Sequence, residues 1–484
     1  MSVEIKNLSP KRVWGYFYEL TQIPRPTYHM EEITRFMVSF GKELGLETIQ
    51  DEVGSVLIRK PATPGMEDRK TVTLQAHLDM VPQKNASVKH DFEKDPIDAY
   101  IDGDWVTARE TTLGADNGIG VALAMSVLAD NTLKHGPIEA LFTIDEEQGM
   151  DGAFGLKPNF LKGDILLNCD SEKEGELYVG CAGGATMEIS FQFKEDMYIP
   201  EGDMAVKVSL GGLKGGHSGV DIHLGRANAN KLMFRFLKEA VSDYGARLSE
   251  VEGGNLTNAI PREAYAIVTI PGDNVEALWE LVADYQDMFR EEYKGVEENI
   301  SFVAEMVDLP KTLIPEEIQD DFINAIEGCQ NGVISMVHDF PGTVESSSNL
   351  AIVRTSNELI DVKILVRSSS ESRKMQVCSS LESIFSLAGG KVEETGPYNG
   401  WQPNIDSPIL KAMSATYKEM FGKEAAVKVM HAGLECGIIQ GNYPNMDMIS
   451  IGPDIEHPHS PDERVNIASV QKIYDLIVAT LERV

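Results

Sequence analysis

The chain has 484 residues, more than one ordinary hydrophobic core accommodates, so two or more domains are expected. Hydrophobic residues make up 42% and charged residues 25%, a common globular balance, while a formal charge of −33 argues against nucleic acid or anionic membrane surfaces as partners. That acidity suits cation capture, but a solvated acidic surface accounts for charge of this kind equally well, so it is not evidence for a metal. No apolar run approaches the ~20 residues needed to span a bilayer. The opening residues MSVEIK lack a basic-then-apolar leader pattern, so a cytoplasmic protein is expected. Cys169, Cys181, Cys329, Cys378 and Cys436 form no CxxC pair and are odd in number; they read as free, mostly buried thiols in a reducing compartment.

In chain order, Ser9-Pro10 reads as a cap followed by proline at the first helical position, with helical spacing over 13–20. A second helix is expected over about 30–44, stopping at Gly45. Residues 48–59 read as a strand pair around Gly54, and 71–76 as a short buried strand ending in His77-Leu78-Asp79. Glycines 114, 118 and 120 open an apolar helix at 121–128, and Asp116 stands where an N-cap carboxylate is common. Residues 138–144 form another buried strand, ending in Asp145-Glu146-Glu147. A third, over 164–169, ends in Asp170-Ser171-Glu172. The glycine-rich stretch 180–184 suggests a hinge. From there to about residue 390 strands alternate with polar linkers and helices are fewer. Helical character returns at 408–421, followed by a buried strand at 446–451, the loop GPDIEHPHSPDE and a last helix over about 468–481. The expected fold is α/β: a discontinuous catalytic domain (1–184 and 392–484) with a mixed sheet flanked by helices, interrupted by an inserted α+β domain (185–391). Within the insertion, Asn258-Ala259-Ile260 with a helix from Asn274, and Asn349-Leu350-Ala351-Ile352 with a helix near Ser372, fit either an internal repeat or generic β-β-α wiring.

Each of three strands therefore delivers a carboxylate or imidazole at its C-terminal end, the edge at which open α/β sheets bind ligands. Collected, the candidates are His77, Asp79, Asp116, Glu146, Glu147, Asp170 and His459. Two imidazoles and three carboxylates hold two divalent ions if one carboxylate bridges, and such mixed nitrogen and oxygen ligation suits zinc, with Mn²⁺ or Co²⁺ as substitutes. Two ions about 3.5–4 Å apart polarise a carbonyl and lower the pKa of a shared water. The doubled Glu146-Glu147 offers one ligand and one proton shuttle.

The chain carries, in order, QAHLDMVPQKN from Gln75, TLGADNGIG from Thr112, DEEQGMDGA from Asp145, LLNCDSE from Leu166, GGHSGVDIH from Gly215, HAGLECG from His431 and HPHSPDERV from His457, and five of these stretches hold the candidates just collected. In that order, and over nearly the whole chain, they resemble the di-zinc exopeptidase family containing aminoacylases, glutamate carboxypeptidases and carnosinases. The resemblance implies two zinc ions per chain. His77 and Asp170 hold one, Glu147 and His459 the other, and Asp116 bridges them, followed by a cis peptide to Asn117. Of the two loop histidines it points to His459, directly before Ser-Pro, rather than His457. It makes Asp79 the group that orients His77 and Glu146 the general base. It also makes the insertion a lid domain, in which His217 stabilises the oxyanion, Asn258 contacts substrate and Arg367 grips its terminal carboxylate; His431, after the insertion, lines the pocket. Taken alone, His217 reads rather as a turn residue, Arg367 also fits a surface partner for Glu371, and His431 reads rather as a structural histidine.

The activity implied is hydrolysis of unblocked dipeptides, Xaa-His included. An N-acyl-amino-acid deacylase on the same scaffold and a non-catalytic metal-binding protein are the alternatives. The partners implied are a small peptide and a second copy of the chain through the lid. The insertion is about twice the size of the simpler members' lid, which leaves open whether the lid histidine acts in cis or in trans.

Overall fold

The computed structural model describes residues 3–196, 198–356 and 358–484; the first two residues of the N-terminal stretch read above lie outside them. The chain divides into two compact units. One comprises Met1–Gly180, Trp401–Val429 and Leu434–Val484, the other Cys181–Gly400 with Met430–Gly433.

The first unit is built on an eight-stranded mixed sheet. Its strands are ordered Glu47–Gln50, Val56–Lys60, Ile138–Thr143, Val72–His77, Ile165–Asn168, Asp447–Ser450, Glu176–Cys181 and Ala426–Met430. The Ile138, Val72, Ile165 and Asp447 strands run parallel to one another. The first three of these are buried along their whole length, as strands covered on both faces must be. The helix Ala115–Ala129 is buried from Ala115 through Leu128, which explains why its sequence is apolar all round rather than on one stripe. Helix Pro408–Phe421 carries proline in its first turn and a Ser407 hydroxyl that accepts from Leu410 N, then ends at Gly422 with φ 69°.

The start of the chain departs from expectation. Helix Lys11–Thr21 has Pro10 itself as its extended N-cap residue, and the Ser9–Pro10 bond is cis. Ser9 Oγ donates to Gln471 Oε1 at 2.7 Å instead of capping the helix.

The second unit has a nine-stranded sheet, all of whose pairings are antiparallel. It contains two copies of one β-α-β-β-α-β connectivity. The first runs Asp203–Gly211, Ala229–Tyr244, Arg247–Gly253, Ala264–Pro271, Val275–Glu292, Ser301–Val307. The second runs Gly183–Gln192, Glu316–Gly328, Val344–Ser356, Leu359–Ser368, Glu371–Leu387, Lys391–Tyr398. Across the sheet the copies are mirror-ordered and meet at their second strands, where Glu252 pairs with Arg354 and Gly253 with Val353. The repeat is real in connectivity, but the short sequence matches do not carry it. Residues 258–260 lie between the second and third strands of one copy, whereas 349–352 lie inside the second strand of the other. Helices Ala229–Tyr244 and Glu316–Gly328 were not foreseen. They pack Phe234 and Phe322 edge-to-face, with Phe322 also against Phe191.

The glycines at 180–184 are there for close approach rather than torsional freedom, since none of Gly180, Gly183 and Gly184 has positive φ. A Cβ on Gly183 would meet Gly400 N at 2.4 Å, and one on Gly180 would meet Pro403 Cγ at 2.7 Å.

Candidate metal centre

Because the four central strands of the first unit are parallel, their C-terminal ends share one edge. His77 closes one strand, Glu146 and Glu147 follow another, Asp170 follows the third, and the loop after the fourth carries His459. At that edge His77 Nε2 lies 3.1 Å from Asp116 Oδ1 and 3.2 Å from Asp170 Oδ1. His459 Nε2 lies 3.1 Å from Asp116 Oδ2 and 3.0 Å from Glu147 Oε2. Asp116 thus turns one oxygen to each imidazole. His457, two residues before His459, is exposed and belongs to neither group.

This donor set fits divalent cations. Ligands at ~2.0–2.2 Å in a tetrahedron stand ~3.3–3.6 Å apart, close to the separations just given. Ligand atoms of His77, Asp116 and Asp170, and separately of Asp116, Glu147 and His459, lie within 4.8 Å of one another. Those of His77, Glu146 and Glu147 do so as well. Charge points the same way. Burial pushes the Glu147 carboxyl up to about 7, with Asp116 adding to the rise. Burial also raises the Glu146 carboxyl well above the usual range; His77 opposes this, and Asp170, Glu147 and Glu435 reinforce it. Burial alone would depress His459, but the carboxylates of Asp116 and Glu147 outweigh it and raise the imidazole to about 11. Burial disfavours the Asp116 carboxylate too, yet hydrogen bonds from His459 and His77 leave its carboxyl well below the ordinary range. Crowded carboxylates that draw protons onto their neighbours form a site that cations neutralise.

The surroundings hold these groups in place. His77 Nδ1 faces Asp79 Oδ1 at 3.3 Å. The Asp79 carboxylate also accepts from Glu146 N at 3.0 Å, Glu147 N at 3.2 Å and Thr27 Oγ1 at 3.0 Å. It therefore orients an imidazole and anchors the backbone of both glutamates at once. Asp116 is not an N-cap: Gly114, with φ 70°, takes that position, and residues 116 and 117 break the helical torsions inside the helix. The Asp116–Asn117 peptide is cis, and Asn117 Nδ2 donates to Asp170 Oδ1.

Two buried charges clamp the Asp116 loop. Glu463 Oε2 accepts from Leu113 N at 2.7 Å and Gly114 N at 2.9 Å, while its Oε1 accepts from Ala115 N at 2.8 Å and Asp116 N at 3.2 Å. Arg25 donates to Leu78 O at 2.9 Å, Asp79 O at 3.1 Å and Gly114 O at 2.6 Å, tying the loop to the His77 strand end. A Cβ on Gly114 or Gly118 would lie 2.6 Å from Arg25 Nη2, so both positions are closed to side chains. Sequence reasoning missed both roles. Glu463 was visible as the acid four residues after His459, but Arg25, in Pro24-Arg25-Pro26, offered no signal.

In the second unit His217 lies in the two-residue strand Gly216–His217, which pairs with Ala259–Ile260. Its Nδ1 accepts from Gly219 N at 3.0 Å and Val220 N at 3.2 Å, which leaves the ring proton on Nε2. Burial and the Arg367 guanidinium lower its pKa to about 4, so it is a neutral donor at pH 7. Asn258 O accepts from Ser218 N at 2.8 Å. Arg367 is buried and donates from Nη1 to Tyr398 Oη at 2.9 Å. It does not pair with Glu371, which bonds Lys374, and its Nε is unpartnered. His431 Nε2 lies 2.7 Å from Ser347 Oγ, and burial, Arg367 and His217 hold its pKa down at about 3.

A mixed α/β sheet with imidazoles and carboxylates gathered at its C-terminal edge is the pattern of a metal-dependent hydrolase. The chain belongs to peptidase family M20/M25/M40, which it matches over residues 73–483. It is 47% identical over 481 residues to the cytosol non-specific dipeptidase of Escherichia coli, covering 99% of each chain. Its fold matches the crystal structure of aminoacylhistidine dipeptidase from Vibrio alginolyticus with a TM-score of 0.92 and 48% identity, over 100% of this chain and 98% of that one. The aminopeptidase PepT from Bacillus cereus shares the fold at a TM-score of 0.57 and 16% identity, over 98% of both chains. Among the described residues no helix is long and apolar enough to cross a membrane.

Proposed function

We propose that this chain is a metal-dependent dipeptidase that hydrolyses unblocked dipeptides, Xaa-His among them, with Glu146 as general base. One observation carries the reading. Asp116 is shared between two imidazole–carboxylate groups, in a chain 47% identical to a cytosol non-specific dipeptidase over 99% of its length. His77 and Asp170 would hold one divalent ion, Glu147 and His459 the other, and Asp116 both. Zinc suits these donors, with Co²⁺ or Mn²⁺ as substitutes. When bound, such ions polarise the scissile carbonyl and lower the pKa of a water.

The chain's own residues do the rest. Glu146 takes the proton released as water attacks and passes it to the departing amine. Asp79 keeps Glu146 and His77 in register. The Nε2–H of His217 is a neutral donor for the oxygen that gains charge. Arg367, buried without a carboxylate partner among the described residues, receives the substrate's terminal carboxylate, and its planar fork suits that group. Asn258 and His431 contact the substrate beside it. The lid role expected of the inserted unit is part of this proposal. So are a cytoplasmic location, supported by the name of the Escherichia coli relative, and a homodimer through the second unit. The edge strand Ser301–Val307 exposes Val303 and Met306, which a partner would cover.

A panel of free dipeptides, the same dipeptides amidated, and N-acetyl amino acids tests the reading. Hydrolysis of the free dipeptides is expected to dominate; preference for the N-acetyl amino acids would make the chain a deacylase instead. Arg367→Ala is expected to raise KM for free dipeptides and erase discrimination against the amides. Equal discrimination by variant and wild type would remove Arg367 from the carboxylate subsite. Sedimentation of the purified protein checks the dimer, and a monomer at all working concentrations would exclude it.

A further inference from the structure

Three strands of the second unit meet at one register. Gly184 of Gly183–Gln192 pairs with Arg367 on one side and with Tyr398 on the other. An arginine and a tyrosine separated by an intervening strand do not ordinarily touch. Here the central position has no side chain, and the phenol reaches across it. A Cβ on Gly184 would fall 2.6 Å from Tyr398 Cε1 and 2.7 Å from both its Cζ and its Oη. Gly184 is extended rather than left-handed, so torsional freedom does not explain the glycine. The Tyr398 ring fills the space a side chain would occupy, and its hydroxyl ends 2.9 Å from Arg367 Nη1.

The tyrosine is held as firmly as the arginine. Lys374, itself buried, donates from Nζ to Tyr398 O at 2.6 Å. Tyr398 Oη accepts from the guanidinium, so its own O–H remains to donate elsewhere. Arg367 Nε has no partner, and no carboxylate neutralises the guanidinium among the described residues. A buried cation set by one neutral hydrogen bond, beside a hydroxyl with a proton to give, is arranged for an anion from outside.

We propose that Tyr398, reaching over Gly184, is a specificity-determining residue: it sets the Arg367 fork and supplies a second donor for the substrate's free carboxylate. The proposal rests on the reading of Arg367 given above. Removing one hydrogen bond to a charged group weakens its binding on the order of 10-fold or more. Tyr398→Phe keeps the ring and removes only the hydroxyl, so the ratio of KM values, amidated over free dipeptide, is expected to shrink about 10-fold. Gly184→Ala displaces the ring and is expected to shrink the ratio in the same way. A merely structural role would change turnover or stability without changing that ratio.

Arg367→Ala measured alongside separates the two claims. If Arg367→Ala loses discrimination and Tyr398→Phe keeps the wild-type ratio, the role of Tyr398 is overturned while that of Arg367 stands. If Arg367→Ala itself keeps the ratio, the carboxylate subsite lies elsewhere and the role of Tyr398 falls with it. Should Gly184→Ala fail to fold, Tyr398→Phe decides the matter alone.

Discussion

Glu146→Ala is expected to lower turnover by about 10³–10⁴-fold while leaving the metal content of the protein unchanged. The size follows from one carboxylate serving both proton transfers, from water to base and from base to leaving amine. Retention of metal follows from geometry. Glu147, not Glu146, places an oxygen 3.0 Å from His459 Nε2. The backbone also survives the change, since Asp79 holds residues 146 and 147 by their main-chain N–H groups, which alanine keeps. Burial raises the Glu146 carboxyl well above the usual range, and a bound cation beside it acts in the opposite sense. The two together suit a base that must accept a proton and release it again. Glu147→Ala should instead cost an ion. Metal analysis and turnover on both variants decide the assignment. If Glu146→Ala loses an ion and Glu147→Ala keeps both, the two glutamates exchange roles.

The residues at the parallel strand ends were legible because their signal is local. A short apolar run that stops at a His or an acid is visible in one dimension, and parallel packing makes all such stops coincide in space. His77, Glu147 and Asp170 were found in this way. Choosing His459 over its neighbour His457 needed the family resemblance, since both histidines sit in one loop. Asp116 carries two readings in the sequence: its position suits a cap, while the resemblance makes it the shared carboxylate, and the broken torsions at 116 and 117 exclude the cap.

What stayed hidden depends on contacts between distant segments. Arg25 bonds carbonyls 53, 54 and 89 residues away, and carbonyl groups carry no side-chain signature. Glu463 takes four backbone N–H groups nearly 350 residues earlier in the chain. The pairing of Tyr398 with Arg367 over Gly184 required the strand register. The glycine cluster at 180–184 falls at the boundary between the two units, and its need for close approach shows only in the packing. In the second unit the duplicated connectivity survives without a matching sequence, because two β-α-β-β-α-β halves need only compatible apolar faces. Phe236, Tyr285 and Phe302 pack together within the first half, whereas Phe191 and Phe322 of the second half pack against Phe234 of the first, so the aromatic residues that fill the two halves follow unrelated spacing.

Exhaustive chelation is expected to abolish hydrolysis, and readdition of divalent ions to restore it, with close to two ions bound per chain in the active form. The sharing of Asp116 makes a stronger claim possible. Its two oxygens face different imidazoles, so Asp116→Asn, which keeps the shape and removes the charge, should weaken both ions together. His459→Ala should lose one. The two groups also differ in access. The His77 side chain is 1% exposed and that of His459 49% exposed, so limited chelation should first remove the ion held by His459 and Glu147. The buried cluster of His77 and Asp170 should exchange slowly. Loss of both ions also removes the charge that stabilises the crowded carboxylates, and the stripped protein should melt at lower temperature because ions bind only the folded arrangement. Stoichiometry followed against chelation time, for wild type and both variants, checks each step. Full activity in protein stripped of metal would refute the two-ion site, and a single phase of release with loss of only one ion from Asp116→Asn would refute the shared role of that carboxylate.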